Sequence, residues 1–521
     1  MPRNYPKASS LLHLPPGVAR DVEAIGYAHL VLKHELHVVP HWHWSFVSPG
    51  GVRRDHVEGA RVLAVYPAGY RIEDWDSDVA HVLFSLRFEG VSLEILAALF
   101  NATPLEPLAL DLTRRVEERP TGKYIRRLWF LYEMLTGGRL DTGDLTMGNY
   151  VSLLDEESYA VGPAQRVRRQ RVWNNLLGDR RFCPMVRRTP GLGAHDPDDL
   201  GRRMSRIVAS HDADLLARAA SFLHTKETMS SFAIEAERPS MDRAERFIRL
   251  FGELPALETL TEVGLVRLHG AIVEPRFAED GYRREQVYVG ESIDLARRHI
   301  HYVAPRPDDV PDMMAGLLSM NERLRRFSVD PVVWAASLAF GFVFIHPFND
   351  GNGRLHRFLI QYALSKAGLA PQGLIIPVSS VMLKKHREYD ACLESFSKPL
   401  LAHIDYNLDE DGAMRVKGET ASFYRYFDAT SMAEYLYGCL AEAITVDLQE
   451  ELDFLMGFAR AQEAVRAVID MPDRLVTLLI KTCRENGGTL SARKRQRYFA
   501  MLSDSEVAAV EAGVREAMDI R

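Results

Sequence analysis

Two apolar segments flank one short polar loop in the C-terminal half of the chain. From Val332 to Ile345 nearly every position is apolar, which predicts a helix buried on all sides. After the loop, Leu355, Phe358, Leu359, Tyr362 and Ala363 recur at helical spacing. Asp330 and Pro331 supply an N-cap and a first-turn proline for the first helix. Gly368 supplies a stop for the second. The pattern therefore predicts helix, tight loop, helix.

Elsewhere the periodicity changes. Residues 1–190 mix β-type runs (Leu36–Val39, Ser45–Val47, Arg61–Tyr66) with helical patterns (Val91–Phe100, Tyr124–Thr136) and predict an N-terminal α+β unit. The stretch 191–203 is rich in Pro, Gly and Asp and reads as a linker. Helical patterns fill 204–259. Residues 260–400 form a helical core, interrupted by alternating Val287 and Val289 with a partner strand at Ile300–Val303. In 401–521, a loop at 402–412 precedes long helical stretches broken at Met471-Pro472, then a basic helix from Ser491 and a last one capped by Ser503. The expected class is mainly α, with a small β-hairpin.

Composition narrows the function. The 521 residues are enough for two to four domains, and a net charge of −7 argues against a dedicated nucleic-acid binder. Met1 to Pro6 carry no signal-peptide core, and no apolar run is long enough to cross a bilayer. Four scattered cysteines form no C-x-x-C pair, which suits a reducing, cytoplasmic setting. His34, His37, His41 and His43 lack a metal-ligand spacing and read as packing residues. Arginines between Arg166 and Arg188 read as a solvated face paired with Asp155, Glu156 and Glu157 rather than a nucleic-acid surface.

The loop itself, His346 to Arg357, carries the chemistry. Gly351 and Gly353 let several N–H groups turn the same way at a helix N-terminus, with Asn352 as its cap, and this makes an anion nest. Arg354 and Arg357 lie on one face of the first turn, where cations oppose the helix dipole unless a polyphosphate occupies the nest. Asp350 is a hard oxygen donor suited to Mg²⁺ shared with phosphate oxygens. His346 sits at the lip, placed to take a proton from an attacking hydroxyl.

These twelve residues resemble the Fic (Fido) signature H-P-F-x-[D/E]-G-N-G-R-x-x-R with every defined position filled. The resemblance spans roughly Leu260 to Pro399. It implies transfer of AMP from ATP to a Ser, Thr or Tyr hydroxyl of a protein. In that scheme His346 is the base, Asp350 holds Mg²⁺, Gly351, Asn352, Gly353 and Arg354 bind phosphates, and Arg357 binds the γ-phosphate. Gly351 stands where the related Doc kinases carry Lys, which favours AMP transfer. Ser231 and Glu235 resemble the inhibitory motif [S/T]-x-x-x-E-[G/N], whose Glu would pair with Arg357, although Ala236 departs from the pattern. Val287, Tyr288 and Val289 resemble the flap that aligns the target by strand addition. The helix carrying Tyr389 would border the adenine pocket. The implied partners are ATP and a protein substrate, a homodimer is compatible, and neither nucleic acid nor membrane is expected. Two other readings keep the same core: a Fic enzyme using another phosphate-containing donor or removing AMP, and a nucleotide-sensing regulator that binds DNA through the basic segments.

Overall fold

A computed structural model describes residues 22–39, 41–59, 61–292, 298–327, 329–370, 373–409 and 411–520. Met1 to Pro6, read above for a leader, lie outside them. The chain divides into two compact units that interleave along the sequence. The first comprises residues 1–197, 239–368 and 385–438; the second comprises 198–238, 369–384 and 439–521. The secondary structure is mainly helical, as the periodicity predicts.

The N-terminal part of the first unit is α+β. Strands Glu23–Ile25, His43–Ser48, Arg61–Pro67 and Arg54–Glu58 form a mixed sheet in that order, with the two central strands parallel. Helices Asp78–Phe88, Leu93–Ala102, Leu105–Glu118 and Lys123–Thr136 follow, and the first two are capped by Ser77 and Ser92. Their core holds Leu96, Leu99, Leu112, Leu128 and Trp129. Leu36–Val39, expected as a strand, has no strand partner among the described residues. The Val39 N–H instead donates to the Glu94 carboxylate at 2.6 Å. The arginine run pairs differently from expectation. Arg169 meets Glu133 and Asp144, Arg181 meets Asp179, and Arg187 meets Asp428. Asp155 is taken by Lys123 and Arg127.

The remainder of the first unit carries the loop. Its elements are α1 (Glu262–Ile272), the hairpin β1 (Tyr288–Ser292) and β2 (Arg298–Val303), α2 (Val310–Arg325), α3 (Pro331–Ile345), α4 (Asn352–Lys366) and α5 (His386–Leu401). Asp330 caps α3 through Val332 and Val333 N–H, with Pro331 in the first turn. Almost all of α3 is buried, so its position is set by packing on every side. A buried hydrogen bond from Trp334 Nε1 to Asn321 Oδ1 at 3.0 Å ties it to α2. The stretch 402–412, expected as a loop, contributes a strand Asp405–Leu408 that pairs with Met414–Lys417. Runs this short carry too little alternation to stand out in sequence.

The second unit is helical. The 191–203 stretch, read as a linker, ends in the helix Pro197–Ala209, and a short helix Pro190–Gly193 precedes it. A long helix, Ala213–Ile234, packs on Val378–Lys384. Two buried carboxylates hold that contact. Glu227 accepts from the N–H and hydroxyl of Ser379, while Asp447 accepts from Ser380 Oγ and Lys384 Nζ. Leu448–Val468, Asp473–Glu485, Ala492–Tyr498 and Asp504–Ala517 close around Val465, Leu479, Ile480 and Val510. Ser503 and Glu506 form a capping box at the last helix. No helix among the described residues is long and apolar enough to cross a membrane.

Burial gives the N-terminal part a pH dependence. Burial pushes the Glu89 carboxyl up to about 7 and that of Glu94 to about 8. Both folded values lie above the unfolded one, so the folded chain binds more protons. The stabilisation is complete below the ordinary carboxylate range and is lost as pH rises through 7 and 8. The denaturant midpoint should therefore fall between pH 5.5 and 8.5. Glu89→Gln should flatten part of that slope, and an unchanged slope would remove Glu89 from the account.

Candidate active site

The loop begins where α3 stops. His346 adopts a left-handed conformation (φ 52°, ψ 59°) and its N–H still bonds Phe342 O. For an L-residue this conformation costs on the order of 1–2 kcal/mol, so neighbours must hold it. The ring lies with Nδ1 3.0 Å from Val343 O. A carbonyl only accepts, so this contact requires a proton on Nδ1 and favours the tautomer with the lone pair on Nε2. The backbone thus favours one tautomer of this imidazole.

Phe348 is fully buried and stacks on the His269 ring at 4.2 Å. Asn352 was expected to cap α4, but Gly351 occupies that position. The Asn352 side chain instead closes the loop on itself. Its Oδ1 accepts from Phe348 N–H at 3.1 Å, and its amide donates to Phe348 O at 2.7 Å. The N-terminus of α4 thus has no side-chain cap, and N–H groups at such an end favour an anion.

Gly351 is required twice over. Its φ is +78°, and a Cβ there would lie 2.8 Å from Val273 Cγ1. Asp350 Oδ1 accepts from Gly351 N–H at 2.6 Å and from Arg354 Nη2 at 2.7 Å. The Arg354 side chain is fully buried, whereas that of Asp350 is half-exposed. Arg357 is also buried. Two buried arginines thus lie in the first two turns of α4, and Arg354 pairs with the half-exposed Asp350 carboxylate.

Beside His346 opens a cavity of about 360 Å³, within the usual range for small-molecule sites. Hairpin residues Val289 and Glu291, the end of α3 and the α5 residues His386, Asp390 and Leu393 contribute to its lining. Tyr389 lies on α5 but is buried, with its ring 6.2 Å from that of His356. Val287 and Tyr288 lie at the start of the hairpin, and Tyr288 pairs with Val303. Because the sheet has two strands, each strand has an edge that could take a further strand. Ser231 is buried near the end of helix Ala213–Ile234, and Glu235 follows as its C-cap, with Ala236 in a left-handed turn at φ 55°. Both belong to the second unit and Arg357 to the first.

Three residues escaped sequence reasoning. His269 Nε2 lies 3.2 Å from Asp350 O. Glu279 accepts from both the N–H and the side-chain amide of Asn349. Arg283 donates from Nε to His346 O at 2.7 Å. All three act mostly on backbone groups of the loop, so no spacing announces them. The only signals are a histidine on an apolar helix and an arginine just before a strand pattern.

Residues 259–364 match the Fic/DOC family. Protein adenylyltransferase Fic from Drosophila grimshawi is 32% identical over 228 residues, which is 40% of this chain and 44% of that protein. The Culex quinquefasciatus protein of the same name is 30% identical over 162 residues, 30% of each. The chain thus spans less than half the length of these relatives. Among solved structures, a Fic family protein from Desulfovibrio desulfuricans aligns at 19% identity and a TM-score of 0.34, covering 64% of this chain and 85% of the other.

A substitution follows from the nest. Gly351→Ala should abolish nucleotide binding while leaving the melting temperature within a few degrees, because the closest clash is with one methyl group of Val273. Calorimetric titration with Mg·ATP measures it, and near-normal affinity would contradict the role given to Gly351.

Proposed function

This chain carries a Fic/DOC-family domain over residues 259–364, and we propose that it is a protein adenylyltransferase that moves AMP from ATP to a Ser, Thr or Tyr hydroxyl of a target protein. One observation carries the reading: His346 Nδ1 lies 3.0 Å from Val343 O at the mouth of a cavity, a contact that favours the tautomer with the lone pair on Nε2. In this reading the hydroxyl oxygen attacks the α-phosphorus, its proton passes to His346 Nε2, and pyrophosphate leaves. The loop N–H groups, Gly351, Asn352, Gly353 and Arg354 bind the phosphates, and Arg357 binds the γ-phosphate. These donors are fixed before the reaction, which is how electrostatic stabilisation is most effective.

Asp350 is a half-exposed hard oxygen donor beside the nest, and it would hold Mg²⁺ against phosphate oxygens, where the ion offsets the charge of the leaving group. The cavity lined by Val289 and by α5 would take the nucleoside, with Tyr389 supporting that helix from its buried side. Val287, Tyr288 and Val289 would align the target by strand addition. Its four cysteines are buried free thiols, which supports a reducing, cytoplasmic setting.

Ser231 and Glu235 supply the brake in this proposal. A carboxylate paired with Arg357 would place like charge against the γ-phosphate and hold the nucleotide in an unproductive pose. Ala236 takes the left-handed turn that Gly or Asn serves in the family pattern, so the turn persists with an L-residue.

Initial rates of protein labelling from ATP test the scheme. His346→Ala should lose roughly 10²–10⁴-fold in transfer while still binding ATP. Glu235→Gly should label faster than wild type, and the Glu235→Gly, His346→Ala double variant should be silent. Near-wild-type labelling by His346→Ala would remove the base. A Glu235→Gly rate no higher than wild type would remove the brake.

A further inference from the structure

Arg283 is 3% exposed, and its guanidinium donates to three backbone carbonyls. Nε donates to His346 O at 2.7 Å, Nη1 to Glu285 O at 2.7 Å and Nη2 to Pro305 O at 2.6 Å. The Arg283 N–H adds a fourth bond, to Pro347 O at 2.8 Å. Buried arginines here meet carboxylates, as Arg127 meets Asp155, or backbone carbonyls, as Arg126 meets those of Asn149 and Arg171. Arg283 spends its donors on carbonyls, and its choice of carbonyls is specific. Glu285 precedes β1, Pro305 follows β2, and His346 and Pro347 open the loop. One planar group therefore joins both roots of the hairpin to the base.

The His346 carbonyl is the group a left-handed residue must have held in place. If it swings, the ring can no longer keep Nδ1 against Val343 O, and the tautomer is no longer selected. The hairpin roots would shift with it. Burial also lowers the guanidinium to about 10, with Tyr302, Tyr424 and Glu279 opposing that shift, so the cation is held by hydrogen-bond geometry more than by a counter-ion.

We infer that Arg283 is a positioning residue for the transfer reaction. It holds the His346 carbonyl in its left-handed turn and fixes the tautomer that presents Nε2, and with the same fork it registers the hairpin against the base. The inference rests on the reading of His346 as general base. It assigns Arg283 no contact with nucleotide, because the nest is braced separately by Glu279 and His269. Lysine would keep the charge but cannot reach three carbonyls in fixed directions.

The test uses the full chain with ¹⁵N-labelled histidine, wild type beside Arg283→Gln and Arg283→Lys, and His346→Ala to assign the His346 signals. Long-range proton–nitrogen spectra report the tautomer, titration reports Mg·ATP affinity, and labelling reports transfer. Wild type should show the Nδ1–H form. Arg283→Gln should show a tautomer mixture and lose transfer by about a hundredfold, the scale of a small misplacement of a reacting group. Its Mg·ATP affinity should stay within about threefold of wild type, so the loss falls on kcat. Arg283→Lys should recover part of both the tautomer and the rate. Should Arg283→Gln not fold, Arg283→Lys decides alone, since a detectable second tautomer supports the inference. An unchanged Nδ1–H signal overturns it, as does equal loss of rate in both variants with the tautomer retained. A wild type that shows the tautomer, and loses it in Arg283→Gln, yet never labels protein would defeat the transferase reading and leave the positioning role standing.

Discussion

Two left-handed residues, His346 and Gly351, set the shape of the loop on which the site depends. The first ends a helix that is buried on every face, so the loop cannot adjust by moving α3. The second starts α4 with its N–H groups turned inward and tolerates no Cβ. Between them the backbone has one course. It is held by the Asn352 clamp on Phe348, the stack of Phe348 on His269, and the Arg283 bond to the His346 carbonyl. The proposed chemistry follows from this course: the same turn that places the imidazole sets its Nδ1 against Val343 O.

Much of this was legible in the sequence because residue types fall at fixed local spacing. Asp330-Pro331, the apolar run, Gly351 and Gly368 each act on their own neighbours, and the structure places them as their chemistry predicts, whereas Gly353 lies inside α4 and makes no bend. Asn352 shows the limit. Its position suggested a cap, but a glycine in the left-handed region took that place and freed the amide to bind the loop. Arg283, Glu279 and His269 were not legible at all. They reach the loop from 63 to 81 residues away in sequence, mostly through backbone groups, and no side-chain pattern records such a contact.

The flanking regions fail for another reason. Leu36–Val39 has strand composition, but Leu36 N–H bonds Val31 O and Val39 N–H bonds Glu94, since strand formation needs a partner edge. The hairpin at 405–417 is the converse case, where pairing across a short turn overrides a loop-like sequence. Members of the arginine run found acids from two residues away, Asp179 for Arg181, to far off in the chain, Asp428 for Arg187. Local propensity sets helices here more reliably than it sets pairings.

The central claim is that a base at His346 and a nest at Gly351–Arg357 pass the nucleoside monophosphate, and not the terminal phosphate, to a protein hydroxyl. ATP labelled at the α-phosphate and ATP labelled at the γ-phosphate separate the two outcomes in one experiment. The account predicts α-label on protein, with one pyrophosphate released for each label gained and no γ-label retained. Protein carrying γ-label, or no protein label from either nucleotide at any concentration of Mg²⁺, would contradict it.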